Sequence, residues 1–196
     1  MSLLFGLAPF VAFFVIMRLI SPIGGLLAAL TVSALLCLRM YLREQSIKIL
    51  EIGSLLLFAS LVLYSWAVAP LWTIASVRLA VDGGLLAIVL VSLAIRNPFT
   101  MQYAREQVPR RYWSSPQFFA ANVVISAVWA GAFAILVAAD AAAEYLPIVP
   151  LWLDITASVA AFSGAVGFTV WYPAFVRRRA QPSSAQSGET RSERSQ

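Results

Sequence analysis

Long apolar runs alternate with short polar breaks along the chain, and this pattern predicts a series of membrane-spanning helices. Leu3–Ile20 is the first run, just long enough to span at about 1.5 Å per residue. Pro9 is expected to kink it, and Arg18 lies near its far end. It reads either as a full span or as a tilted, partly inserted segment. Ser21-Pro22 breaks the pattern, and Ile23–Leu42 follows as the second span. Gly24/Ala28 and Gly25/Ala29 place small residues four apart on it, which permits close helix approach. Ile52–Ala69 is the third span, with Tyr64 and Trp66 at the depth where aromatics favour headgroups. Pro70 closes a short turn, and Leu71–Ile95 is the fourth span. Phe118–Ala139 is the fifth, Asp140–Pro150 a short acidic connection, and Leu151–Val176 the sixth. Small residues form rows on that last span, at Ala157/Ala161, Ala160/Gly164 and Ser163/Gly167, expected to pack against neighbouring helices.

The fold class is therefore all-α: a polytopic transmembrane helical bundle of six apolar segments, five if the first does not span. Residues 1–179 form the membrane domain. The stretch Arg177-Arg178-Arg179 stops the last span, and 180–196, rich in Ser, Gln, Glu and Arg, reads as a disordered tail.

Composition sharpens this reading. The 196 residues are 61% apolar and 12% charged, whereas soluble domains are nearer half apolar and a quarter charged. The opening run has no basic n-region, so it is expected to stay rather than be cleaved as a signal. The net charge of +5 is distributed unevenly. Twelve of fourteen basic residues fall in three polar regions, 39–48, 96–111 and 177–194, that would share one side. The connections 66–72 and 140–150 contain none. The positive-inside rule then makes the three basic regions and the C-terminus cytoplasmic. Basic residues here serve topology and contact with anionic headgroups, and nucleic-acid binding is not expected.

Candidate chemistry is sparse. The chain has no histidine, which removes the usual general base and nitrogen ligand. Cys37 is alone and reads as a small buried hydrophobe. No phosphate loop, zinc spacing or nucleophile elbow appears, so neither catalysis nor a cofactor is expected. Arg78 and Asp82 stand out, four apart on one face of the fourth span. A lone charge at that depth costs about 2.5–3.5 kcal/mol on insertion scales, and an intrahelical pair lowers the cost. One reading is a proton or ion relay, or a polar substrate site. The preferred one is a structural ion pair fixing helix register, joined by Arg18 or Asp154. The remaining acids read as structural, with Glu44 and Glu51 balancing Lys48 and Asp154 complementing a helix N-terminus.

The polar loop Arg96–Trp113 forms the second candidate. Asn97 can cap, Pro98 suits the first helical position, and Phe99–Gln107 could form two to three turns. Phe99 and Tyr103 share one stripe with Arg105 and Glu106 off it, so the segment could lie at the interface with Arg110, Arg111, Tyr112 and Trp113 at headgroup depth. A contact surface for a partner protein or anionic lipid and a solvated topology anchor both remain open.

Pro9–Phe14 is followed by Arg18, then by the charged loop 39–48 and a fourth span opening at Trp72 and closing at Arg96 and Pro98. Glu106 and Pro109 lie ahead of Trp113, and Asn122, Trp129 and Phe133 follow in the next span. This order of features resembles the bacterial inner-membrane (intracellular) septation protein A family. The likeness covers roughly residues 3–178. The loop is longer than in that family, by Arg-Arg-Tyr-Trp-Ser-Ser-Pro around 110–116, and the tail is atypical. The resemblance implies a multi-pass inner-membrane protein of cell-envelope maintenance and division, with envelope or division proteins as partners, a possible homo-oligomer, and no catalytic residue. The alternative function is a small transporter or channel using Arg78 and Asp82.

Overall fold

The computed structural model describes residues 6–42, 48–146 and 151–180. Among these the protein is entirely helical, with α1 Ala8–Leu19, α2 Pro22–Leu42, α3 Ile49–Val68, α4 Ile74–Ala94, α5 Phe99–Ala104, α6 Pro116–Tyr145 and α7 Leu151–Ala180. Five of them, α2, α3, α4, α6 and α7, are long and apolar enough to cross a membrane. Their outer faces carry Leu27, Leu35, Leu56, Leu63, Leu90, Ile135 and Val170, all exposed, as a lipid-facing surface requires. The disordered tail expected over 180–196 lies almost wholly outside the described residues, as does Glu44.

The first apolar run takes the shorter of its two expected forms, without the expected kink. Pro9 does not kink a long helix; it sits in the first turn of α1 and begins it. There its missing N–H goes unmissed. The helix has 12 residues, about 18 Å, which is short of a bilayer core of about 30 Å. Instead α1 lies along α2. Gly25 makes that approach possible, since a β-carbon there would fall 2.8 Å from Met17 Cβ and 2.9 Å from the Phe13 carbonyl oxygen. Phe10 and Phe13 then reach Phe58 of α3, and all three are buried.

Short connections make successive spans antiparallel. α3 ends at Ala69, whose left-handed backbone (φ 48°) turns the chain into Pro70. Packing runs from α2 through α3 and α4 to α6 and α7, with α5 wedged against α4 and α6. One core links them, centred on Val77, Val81, Leu85 and Val89 of α4 and on Ile125, Trp129 and Phe133 of α6. The Trp129 indole N–H donates to Thr169 Oγ1 at 2.9 Å, joining α6 to α7.

α6 does not stop at Ala139. It continues through Asp140 and Glu144 to Tyr145. The sequence Ala-Ala-Asp-Ala-Ala-Ala-Glu is strongly helix-favouring, and the acids do not interrupt it. α7 likewise runs past Val176 to Ala180, with Pro173 inside it. The bundle therefore has one end bearing the connection at 69–73, the end of α6 and the start of α7, and an opposite, basic end.

Candidate functional site: a buried arginine–carboxylate cluster

At the first of these ends α4, α6 and α7 bring their charged residues together. Thr73 caps α4, accepting from the Ser76 N–H at 2.9 Å within a capping box. Its hydroxyl donates to Glu144 Oε2 at 2.6 Å, which ties the start of α4 to the last turns of α6. Arg78 lies one turn further in. Its Nη1 donates to Asp154 Oδ2 at 2.7 Å, and its Nη2 to Asp154 Oδ1 at 3.3 Å and Ser158 Oγ at 3.2 Å. The forked pair to α7 uses the planar guanidinium as lysine could not. Nη2 also lies 2.8 Å from Asp140 Oδ1, an ion pair whose angles fall short of a hydrogen bond. The Phe14 ring of α1 covers the guanidinium at 5.9 Å.

The expected intrahelical pair is thereby corrected. Arg78 closes across the bundle onto Asp154 and Asp140, not onto Asp82 of its own helix. Two turns of α6 and α7 offer carboxylates the guanidinium can meet head on, which a neighbour on the same helix does not. Arg18, the other candidate partner, is exposed. Asp82 is 0% exposed, and neither of its oxygens accepts from a donor. Its carboxyl faces that of Asp140, within hydrogen-bonding reach.

Asp140 is the residue that sequence reasoning missed, because it was assigned to a connection. The signal was present. Ile125, Trp129, Phe133, Leu136 and Asp140 follow one another at spacings of three and four, and all are buried. Asp140 continues the stripe that faces the core. No group of three acidic, Cys or His side chains able to hold a metal ion occurs among the described residues.

The loop at the basic end is not the surface that its sequence suggested. Phe99 and Tyr103 are only 1% and 2% exposed. Asn97 does not cap α5; Pro98 holds that position, after a left-handed turn at Arg96 (φ 54°). The turn drives α5 inward, where Phe99 meets Trp129 edge to face. Thr100 Oγ1 lies 2.8 Å from Ser126 Oγ and 3.1 Å from the Asn122 carbonyl oxygen. With the Thr100 hydroxyl bonded inside and the Phe99 ring packed on Trp129, the stripe buries itself instead of lying on headgroups.

Lys48 fastens the loop. Its Nζ is 2.6 Å from Glu106 Oε1 and 4.0 Å from Glu51 Oε1, and it sits 4.4 Å over the Tyr103 ring. Burial, with Glu51 and Glu106 nearby, pushes the Tyr103 phenol up from its ordinary value. Gln102 Oε1 accepts from the Ile49 N–H at 2.7 Å, so α5 also caps α3. Cys37 is half-buried, its Sγ 3.6 Å from the Glu51 carbonyl oxygen.

The rest of the predicted surface stays outside. Arg110 and Arg111 are exposed, and Arg105 and Trp113 are half-buried. The guanidinium groups of Arg105 and Arg110 stack on Trp113 at 5.5 and 5.6 Å, and Arg111 covers Tyr112 at 4.8 Å. Trp113 itself is fixed by its indole N–H donating to the Val108 carbonyl at 2.8 Å. Elsewhere, α2 and α3 border an apolar groove of about 270 Å³ lined by Ile23, Leu26, Leu27, Val62, Ser65 and Trp66, with no titratable group. In comparisons with known proteins, no family model, no curated protein and no solved structure matches this chain.

Proposed function

We propose that this multi-pass membrane protein acts without catalysis in cell-envelope maintenance, through contacts with anionic lipid and membrane partners. The observation that carries the reading is the platform of Arg105, Arg110 and Arg111 on Trp113 and Tyr112, at the basic end of an otherwise apolar surface. Arginines held over aromatic rings at headgroup depth suit phosphate recognition. Each basic residue near an anionic surface contributes about 1 kcal/mol. The positive-inside rule supports a cytoplasmic C-terminus, and the likeness to the septation protein A family supports the inner membrane and the link to septation. Envelope or division proteins, or a second copy of the chain, are the partners this reading supplies.

The test uses the full chain in nanodiscs. Native mass spectrometry should show anionic lipid retained over zwitterionic lipid. The combined Arg105→Gln, Arg110→Gln and Arg111→Gln variant should lose that preference. Equal retention by both proteins would remove the lipid contact. Unchanged septum placement and wall sensitivity on depletion of the protein would remove the envelope role.

One observation favours a second reading, a small transporter or channel. Asp82 and Asp140 are buried carboxyl groups beyond the one that Arg78 engages in its forked pair. Flux in proteoliposomes that is abolished by Asp82→Asn would favour it over the first.

A further inference from the structure

Two carboxyl groups, those of Asp140 and Asp154, meet the Arg78 guanidinium, and a third, that of Asp82, is buried without a donor. Asp82 and Asp140 are 0% exposed and Asp154 is 2% exposed. Asp154 is satisfied by two bonds from Arg78. Asp140 has only the off-angle ion pair, and Asp82 has no donor at all. Yet the carboxyls of Asp82 and Asp140 lie within reach of one another. Two carboxylates are both acceptors, so their contact becomes a hydrogen bond only when one of them carries a proton. Two ionised carboxyls so placed would repel, with a single cation already engaged by Asp154.

We propose that Asp82 and Asp140 hold one proton between them, forming a proton-binding site that exchanges with water through Glu144. The protonated carboxyl donates its O–H to the other, which accepts as carboxylate. Glu144 lies one turn beyond Asp140 on the same face of α6, about 5–6 Å away by helix geometry. It is half-exposed and anchored to Thr73. Glu144 is thus the half-exposed acid next along the face that leads to Asp140, and the proposed route runs from water through it to Asp140 and Asp82.

Other charged groups do not compete for this site. From α1 the cluster meets Phe14, while Arg18 is exposed. Glu51 of α3 and Tyr103 of α5 gather with Lys48 at the opposite end, and the remaining titratable group of α3, Tyr64, is exposed with its ring against Trp72. α7 supplies Asp154, engaged with Arg78. The site is independent of whether the chain transports anything.

The test is infrared difference spectroscopy on the full protein in nanodiscs, titrated from about pH 5 to about pH 9. A carboxylic-acid carbonyl band should persist at neutral pH. Asp82→Asn and Asp140→Asn should each remove it. Glu144→Gln should keep the band but slow its deuterium exchange several-fold. Should either Asn variant fail to fold, hydrophobic carbodiimide on the unaltered protein decides the matter. Adducts mapping to Asp82 or Asp140, and falling as pH rises, support the site. Absence of both band and adduct, or a band that responds to sodium ion and not to pH, overturns it.

Discussion

Single side chains carry much of the organisation at one end of this bundle, and Arg78 carries most. It joins α4 to α6 and α7 through Asp140 and Asp154, both buried. Removing one partner of a buried pair leaves the other charge uncompensated, at a cost of about 3–5 kcal/mol. Arg78→Leu should therefore unfold in detergent far more readily than the unaltered protein, read by near-ultraviolet circular dichroism against denaturant. Combining it with Asp154→Leu should restore part of the loss, since one of the two orphaned carboxylates disappears while Asp140 stays. A double variant as unstable as the sum of the two single ones would show that Arg78 and Asp154 contribute independently. Arg78→Lys should be intermediate, because an ammonium cannot make the forked contact.

At the level of elements, the alternation of apolar runs and polar breaks was enough to place the five spans. It could not place α5. The polarity of Arg105, Glu106, Arg110 and Arg111 made the whole loop read as surface, yet Phe99, Thr100, Met101 and Tyr103 are buried. What decides their direction is the turn at Arg96 and the waiting partners Ser126 and Trp129, which are distant in sequence. The cluster was half legible for a similar reason. Arg78 and Asp82 announce themselves by standing alone in an apolar run, but Asp140 sits among alanines beside an acidic connection. Only the continuation of the Trp129, Phe133, Leu136 stripe marks it as core. The wedge itself is testable. Phe99→Ala should cost about 3–5 kcal/mol and expose the loop, so that trypsin cuts after Arg105, Arg110 or Arg111 sooner than in the unaltered protein. Gln107→Ala, at an exposed position, should leave the cutting rate where it was.

For the whole molecule, the placement of basic residues implies one topology. A cysteine at Ser114, exposed beside the basic platform, and one at Leu71, 98% exposed between α3 and α4, must lie on opposite sides of the bilayer. In a Cys37→Ser background, an impermeant thiol reagent applied to sealed inverted vesicles should label Ser114→Cys. Leu71→Cys should react only after the vesicles are opened. Labelling of both without opening would break the arrangement of antiparallel spans.

The chain contains a single lysine, Lys48, and that residue clasps Glu106 of the loop while only 6% exposed. Acylation of its side-chain amine is thus a footprint that nature has already installed. An amine-directed reagent will leave this position unmarked while the loop is seated and will mark it once α5 lifts away. Anything that engages the loop in a native membrane, a neighbouring protein or a change of lipid, can therefore be followed at one atom without altering the protein.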